Sequence, residues 1–152
     1  MTRKRSTYRP KRNLVNPLGW VLEGFKPITG YSAINVNTRI HNHEALRSVA
    51  DGSATPYHLD VLINMSNMAM ALSRVYGVDW KEELVAGANA IEAVQKRLYK
   101  WGKVQATPTE LEAITFLTHI HDVQLDASRV KDIEAAHAIA KHGAVFLSYM
   151  EK

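Results

Sequence analysis

Over most of the chain, apolar side chains recur every three to four residues, which is the period of helices that pack on one side. Start and stop signals divide this region into helices. The first is predicted over residues 39–50 and stops at Asp51-Gly52. The second begins at Thr55-Pro56, because Thr is a good N-cap and Pro suits the first helical position. It ends near Tyr76, where Gly77 terminates it.

Two further helices are predicted from capping boxes, in which an N-cap side chain and an acidic side chain satisfy backbone N–H groups reciprocally. Asp79-Trp80-Lys81-Glu82 opens the third helix, which runs to about Trp101 and stops at Gly102. Thr107-Pro108-Thr109-Glu110 opens the fourth helix in the same way.

A fifth helix is predicted to start at Ser128 as its N-cap, and either to break at Gly143 or to run on to Tyr149. With five helices and no strand pattern in this region, the predicted fold class is all-α. The helical domain, residues 39–152, is expected to form a compact bundle.

The second helix is predicted to lie at the centre of this bundle, because it is apolar on two sides. Its two stripes are Val61, Met65, Met68, Leu72 and Val75, and Leu59, Leu62, Ile63, Ala69 and Met70. Its narrow polar edge is Asp60, Asn64, Asn67 and Arg74. A helix with so little polar surface has to be covered by several neighbours.

The third helix carries one apolar stripe and a group of small residues. The stripe is Trp80, Leu84, Ala88, Ile91, Val94, Leu98 and Trp101. The small residues Ala86, Gly87, Ala88 and Ala90 predict that a neighbouring helix approaches closely here.

Residues 13–38 have a different pattern, in which helix breakers alternate with large apolar side chains. The breakers are Pro17, Gly19, Gly24, Pro27 and Gly30. The segment also contains Trp20, Phe25 and Tyr31, and it is too apolar for a free linker. It is therefore predicted to be an extended aromatic strap that packs on the helical domain.

Residues 1–12 form a basic arm. They hold Arg3, Lys4, Arg5, Arg9, Lys11 and Arg12 and no acid. The whole chain has a formal charge of +4, and the 13 other Lys and Arg residues face 15 Asp and Glu residues, so the rest of the chain is about −2. Blocks of like charge usually stay solvated and seek a polyanion.

The arm has the composition of a segment that contacts phosphates, and nucleic acid, either DNA or RNA, is its predicted partner. Tyr8 adds a ring that can stack on a base. A solubilising tail without a specific partner is the simpler interpretation of the same pattern.

A second basic-aromatic group lies at the predicted end of the third helix and is a further candidate for nucleic-acid binding. It consists of Lys96, Arg97, Tyr99, Lys100, Trp101 and Lys103. Cations are also favoured at a helix C-terminus by the macrodipole, and Trp101 belongs to the apolar stripe. The structural interpretation is therefore slightly preferred.

The histidines give weak indications of a metal site. His41/His43 and His119/His121 are two residues apart, so members of each pair point to opposite sides of a helix. A better-placed polar row on the fourth helix is Glu112, Thr115, His119, Asp122 and Asp126. We interpret this row as a polar face that binds no metal, and His121 and His137 as core residues.

Two short motifs resemble parts of enzymes. His121-Asp122 resembles the doublet of HD-type metal-dependent phosphohydrolases, but that family also requires an earlier His on one helix and an Asp far downstream, and only thirty residues follow Asp122. Glu134-Ala135-Ala136-His137 resembles half of a di-iron carboxylate site, and its second copy is missing. No catalytic residue, metal site or cofactor is predicted.

Bulk composition indicates one cytoplasmic domain. The 152 residues contain 46% apolar side chains, which suffices for one core, and no Cys, which excludes disulfides and thiolate metal sites. No apolar run approaches the ~20 residues that span a bilayer, so membrane contact is not expected. The oligomeric state is left open.

The chain as a whole resembles small proteins encoded by tailed phages and prophages of proteobacteria. The resemblance is carried by Tyr8-Arg9-Pro10, Asn16-Pro17-Leu18, Leu22-Glu23-Gly24, Asn42-His43, Gly52 with Ala54-Thr55, Asn67-Met68 and residues 121–126. It implies a setting in the cytoplasm of an infected bacterium and an accessory binding role. It carries over no catalytic residue.

Three functional hypotheses remain. The first is a non-enzymatic protein whose basic arm contacts nucleic acid or a protein complex that carries it. The second is an inhibitor that binds a host defence or transcription machine through the strap around Trp20, Phe25 and Tyr31. The third and weakest is an HD-like hydrolase centred on His119, His121 and Asp122.

Overall fold

The chain folds as an all-α bundle. A computed structural model describes residues 33–102 and 104–141. These residues form five helices and no strand, which confirms the predicted fold class. The helices are α1 (Ala33–Asp51), α2 (Pro56–Tyr76), α3 (Lys81–Trp101), α4 (Pro108–Ala127) and α5 (Val130–Lys141). None of them is both long and apolar enough to cross a bilayer.

Most of the predicted helix ends are confirmed because the capping groups make the expected contacts. The Thr107 hydroxyl accepts the Glu110 N–H at 3.3 Å, and Glu110 Oε2 accepts the Thr107 N–H at 2.8 Å. At the other ends, Gly77 and Gly102 both have a φ of 66°, the left-handed conformation that glycine adopts without strain.

Three starts differ from the prediction. The capping box predicted at Asp79 and Glu82 does not form, because Trp80 is the N-cap of α3 and Asp79 Oδ1 accepts the Lys81 N–H at 3.2 Å. Helix α1 begins at Ala33, within the segment predicted to be an extended strap, because no Pro or Gly occurs between Gly30 and Gly52 to interrupt it. Ser128 closes α4 and does not open α5, since its hydroxyl donates to the Gln124 carbonyl at 2.6 Å. The remainder of the predicted arm and strap, and the chain beyond Lys141, lie outside the described residues.

Helix α2 is the central element, as its two apolar stripes predict. It packs against α1, α3, α4 and α5. Nine of its 21 residues are buried, compared with one of the 12 in α5. Leu62, Met70 and Leu72 are fully buried, and Met68 is partly buried. The bundle is therefore assembled around α2.

Helices α3 and α4 approach closely at Gly87, as the small residues of α3 predict. A Cβ added to Gly87 would lie 2.7 Å from Leu117 Cβ and 3.2 Å from the Ala113 carbonyl oxygen. The first contact is too short for any pair of carbon atoms that are not bonded. The position requires glycine because of space, not because of an unusual backbone conformation.

Gly87→Ala is expected to destabilise the fold by about 1 kcal/mol, although Ala favours helices. The added methyl group crowds Leu117, which lowers the free energy of unfolding by about 1–3 kcal/mol, whereas the higher helix propensity of Ala raises it by about 1 kcal/mol. Urea denaturation followed by circular dichroism measures the difference. The control is Ala86→Gly at the exposed neighbouring position, which reports propensity alone. An increase in stability on Gly87→Ala would contradict the close packing of α3 against α4 at this position.

Candidate functional site: the basic-aromatic end of α3

Many of the residues proposed from sequence to bind nucleic acid or protein lie outside the described residues. They are Arg3, Lys4, Arg5, Tyr8, Arg9, Lys11, Arg12, Trp20, Phe25, Tyr31 and Lys103. Their roles stay predictions. The described part of the second basic-aromatic group can be placed, and it lies on the last turns of α3.

The basic-aromatic end of α3, which we define as Lys96, Tyr99, Lys100 and Trp101, presents two large rings to solvent. Tyr99 is 69% exposed and Trp101 is 63% exposed. The Lys100 ammonium lies 4.9 Å from the centre of the Trp101 ring, within the range of a cation–π contact. Trp101 lies on the face of the apolar stripe, as its spacing predicts, but it is not buried, because the buried part of the stripe ends before the last turn.

Arg97 is directed away from this surface. Its guanidinium makes a two-point contact with Glu110, with Nη1–Oε1 at 2.8 Å and Nη2–Oε2 at 2.5 Å. Its Nη2 also donates to the Gln105 carbonyl at 3.2 Å. The hydrogen bonds from Arg97, assisted by the Thr107 backbone N–H, lower the pKa of Glu110 to about 2.

This contact fixes the α3–α4 connection beside the exposed rings. Arg97 of α3 pairs with Glu110 in the first turn of α4. The start of α4 is therefore held against α3. Arg97 is thus a positioning residue for the surface, whereas Lys96 and Lys100 are exposed. Lys96 pairs with Glu92 one turn earlier, at 2.5 Å.

The polar row of α4 lies largely on the surface, as predicted, and two of its carboxylates pair with side chains of α1. Arg39 of α1 pairs with Asp126 and donates to the Asp122 carbonyl at 2.8 Å, and His43 Nε2 lies 2.7 Å from Asp122 Oδ2. The hydrogen bond to Asp126 raises the pKa of Arg39. We call these contacts the α1–α4 ion pairs, and they hold two helices together at the edge of the bundle.

The enzyme-like motifs do not converge on one point. Asp122 faces α1, whereas its neighbour His121 is buried, because consecutive helical residues point about 100° apart. Across residues 33–102 and 104–141, no three His, Asp or Glu side chains are arranged to hold a metal ion. His137 is exposed, so the prediction of a core histidine is wrong there and confirmed at His121.

Comparison of the chain with protein-family models, curated proteins and solved structures finds no match. The resemblance to phage-encoded proteins stays a prediction. Function is therefore inferred from the chemistry of the surface itself.

Proposed function

We propose that this protein binds single-stranded nucleic acid through the basic-aromatic end of α3, with the basic arm supplying further phosphate contacts. The observation that supports the proposal is the exposure of Tyr99 and Trp101, which lie on opposite sides of the last turns of α3 and are each next to Lys100 in the sequence. Large aromatic side chains are normally covered, so exposed rings on both sides of one helix end indicate that a ligand contacts this end.

The chemistry of this surface fits unpaired bases better than duplex. Each base offers a flat face that stacks on Tyr or Trp, and stacking of this kind contributes about 1–3 kcal/mol per base. Lys96 and Lys100 lie beside the rings, where ammonium groups neutralise the phosphates that connect stacked bases. In a duplex, the base faces are already stacked on each other and cannot reach the rings.

The basic arm adds charge without adding sequence preference. Its six cations occur within twelve residues, a density that favours several phosphate contacts along one strand. Such contacts raise affinity for any sequence and steer a strand towards the body of the protein. We therefore propose that the arm supplies most of the affinity for the strand and that the end of α3 supplies the stacking contacts with its bases.

Trp101→Ala in the full chain is expected to weaken binding of a 12-nucleotide single strand by about tenfold or more, since the stacking energy that it removes is about 1–3 kcal/mol. Tyr99→Ala should have a similar effect. Fluorescence anisotropy of a labelled strand, as DNA and as RNA, measures both. The matched control is Phe116→Ala, which removes another exposed ring from α4.

Salt dependence separates the contribution of the arm in the same assay. Neutralising Arg3, Arg5 and Arg9 with Gln should reduce the log–log salt slope by about 2, because each single-strand phosphate contact contributes about 0.7. Trp101→Ala should leave the slope unchanged. Equal affinity of the wild type, Trp101→Ala and Phe116→Ala proteins would contradict the proposed role of the α3 surface.

A further inference from the structure

One face of α2 is covered by α5 over its second half and is open over its first half. The face consists of residues that follow one another at intervals of three or four, which places them on the same side of the helix. They are Tyr57, Val61, Asn64, Met68, Ala71 and Val75. Ala71 and Val75 pack with Ala136 of α5, whereas Tyr57 is 59% exposed. Among the described residues, none covers the first half as α5 covers the second.

The open half forms one wall of a groove of about 260 Å³ where α1, α2 and α4 meet. Val61 and Met65 of α2 make this wall apolar, and Thr38 and Asn42 belong to the opposite wall on α1. Among the described residues around the groove there is no Arg, Lys, Asp or Glu. An ionised group placed there would lose its hydration without meeting an opposite charge, so the groove suits an apolar, uncharged occupant.

Helix α5 runs towards this groove. Its first turn lies at the end of α2, where Asp132 Oδ2 is 3.4 Å from the Tyr76 hydroxyl oxygen. Its last turn lies nearer the middle of α2, since Ala140 packs against the buried cluster that contains Met65. Helix α5 is thus antiparallel to α2, and the chain that continues beyond Lys141 starts beside the groove.

The sequence of residues 142–150 continues the apolar stripe of α5. Ala140 of this stripe is followed at helical spacing by Gly143, Leu147 and Met150. No Arg, Lys, Asp or Glu occurs in residues 142–150, which matches the uncharged lining of the groove. This segment therefore has the apolar pattern that the open face of α2 requires of a neighbouring helix.

The length and the register of this segment also fit the groove. The eleven steps from Tyr57 to Met68 span about 17 Å along α2, and the eleven residues from 142 to the end of the sequence span the same length as a helix. Ala136 lies in one buried cluster with Ala71. Fourteen residues after Ala136 is Met150, and fourteen residues before Ala71 is Tyr57. An antiparallel continuation of α5 thus brings Met150 to Tyr57.

We propose that residues 142–150 continue α5 as a helix that lies in this groove, with Leu147 against Val61 and Met150 against Tyr57. The fifth helix then runs past Gly143, which is one of the two ends that its sequence allows. The groove is separate from the basic-aromatic end of α3, so this contact does not rest on the proposed function.

Pairs of cysteines in the full chain test the contact, because the sequence contains no Cys. Tyr57→Cys with Met150→Cys is expected to form a disulfide within one molecule on mild oxidation, since this bond requires Cα atoms about 4.4–6.8 Å apart. Tyr57→Cys with Ser148→Cys is the matched control, because position 148 lies on the opposite side of the proposed helix. Peptide mapping should find at least fivefold more linked peptide in the first pair. Equal linking of the two pairs would overturn the proposal.

The same assay identifies other occupants of the groove. Linking of Tyr57→Cys to Met150→Cys between two molecules gives a dimer on a non-reducing gel, and it would place the end of a second copy in the groove. Preferential linking of Tyr57→Cys to Phe25→Cys would place the strap there. Either result would overturn the proposal.

Thermal unfolding provides a second measurement without engineered cysteines. Leu147→Ser should lower the melting temperature by about 3–10 °C, as expected for loss of a buried Leu side chain. Val145→Ser, on the opposite side of the proposed helix, should change it by no more than about 2 °C. Equal melting temperatures of these two variants would show that Leu147 is not buried and would overturn the proposal.

Discussion

Leu62→Ala is expected to lower the free energy of unfolding by about 2–5 kcal/mol, the range for removal of a buried Leu side chain from a packed core. Leu62 is 0% exposed and lies on the helix that packs against each of the four other described helices. The decrease combines the hydrophobic energy of the removed atoms with the van der Waals attraction that they exert on the surrounding side chains. Urea denaturation followed by circular dichroism measures it.

Ile40→Ala is the matched control, since it also truncates a large aliphatic side chain within a helix. Ile40 is exposed on α1, and surface changes of this kind usually alter stability by no more than about 0.5 kcal/mol. The central position of α2 predicts a difference of several-fold between the two variants. Similar decreases from both would contradict that arrangement.

Acidification from pH 7 to pH 4 is expected to remove about 3 kcal/mol of stability through His121 alone. Burial lowers the folded-state pKa from 6.5 to about 4, so between these values the unfolded chain binds a proton that the folded chain does not. Stability is therefore complete above about pH 6.5 and falls as the pH approaches 4. The magnitude follows from about 1.4 kcal/mol per pKa unit.

Denaturation of wild type and His121→Gln at pH 7, 6, 5 and 4 tests this expectation. Whatever its absolute stability, the variant should lack the decrease that begins below pH 6.5. His119→Gln on the exposed face of α4 is the control and should keep the wild-type pH dependence. Glu110 contributes separately at lower pH, because its pKa of about 2 places the weakening of its contact with Arg97 below about pH 4.5. Parallel pH profiles for the wild type and His121→Gln would contradict the assignment.

Local signals in the sequence predicted the helices well, because caps and breakers act within one turn. Thr107 and Glu110 satisfy each other's backbone groups regardless of what packs on α4. Periodicity was less informative at the ends of helices. It places Trp101 on the same face as Ile91 and Val94, but it does not show whether a neighbouring helix extends far enough to cover that face.

The contacts around the candidate sites join residues that are far apart in the sequence, so local sequence patterns do not predict them. His43 and Asp122 are 79 residues apart, and Arg39 and Asp126 are 87 residues apart. The spacing within α4 identified a polar row correctly, yet the partners that pair with it come from α1. The groove between α1, α2 and α4 is likewise formed only when three helices meet.

The small number of buried residues in helix α5 determines which part of the bundle opens first. It packs mainly on α2, and Ala136 is its one buried residue among those described. Its first turn is held by polar contacts, in which Asp132 Oδ2 accepts the Arg129 N–H at 2.9 Å and lies 3.4 Å from the Tyr76 hydroxyl oxygen. Few buried apolar contacts mean a small free energy of local opening. Among the five described helices, α5 is therefore expected to detach first, and its detachment uncovers Leu72 while α1 to α4 stay packed.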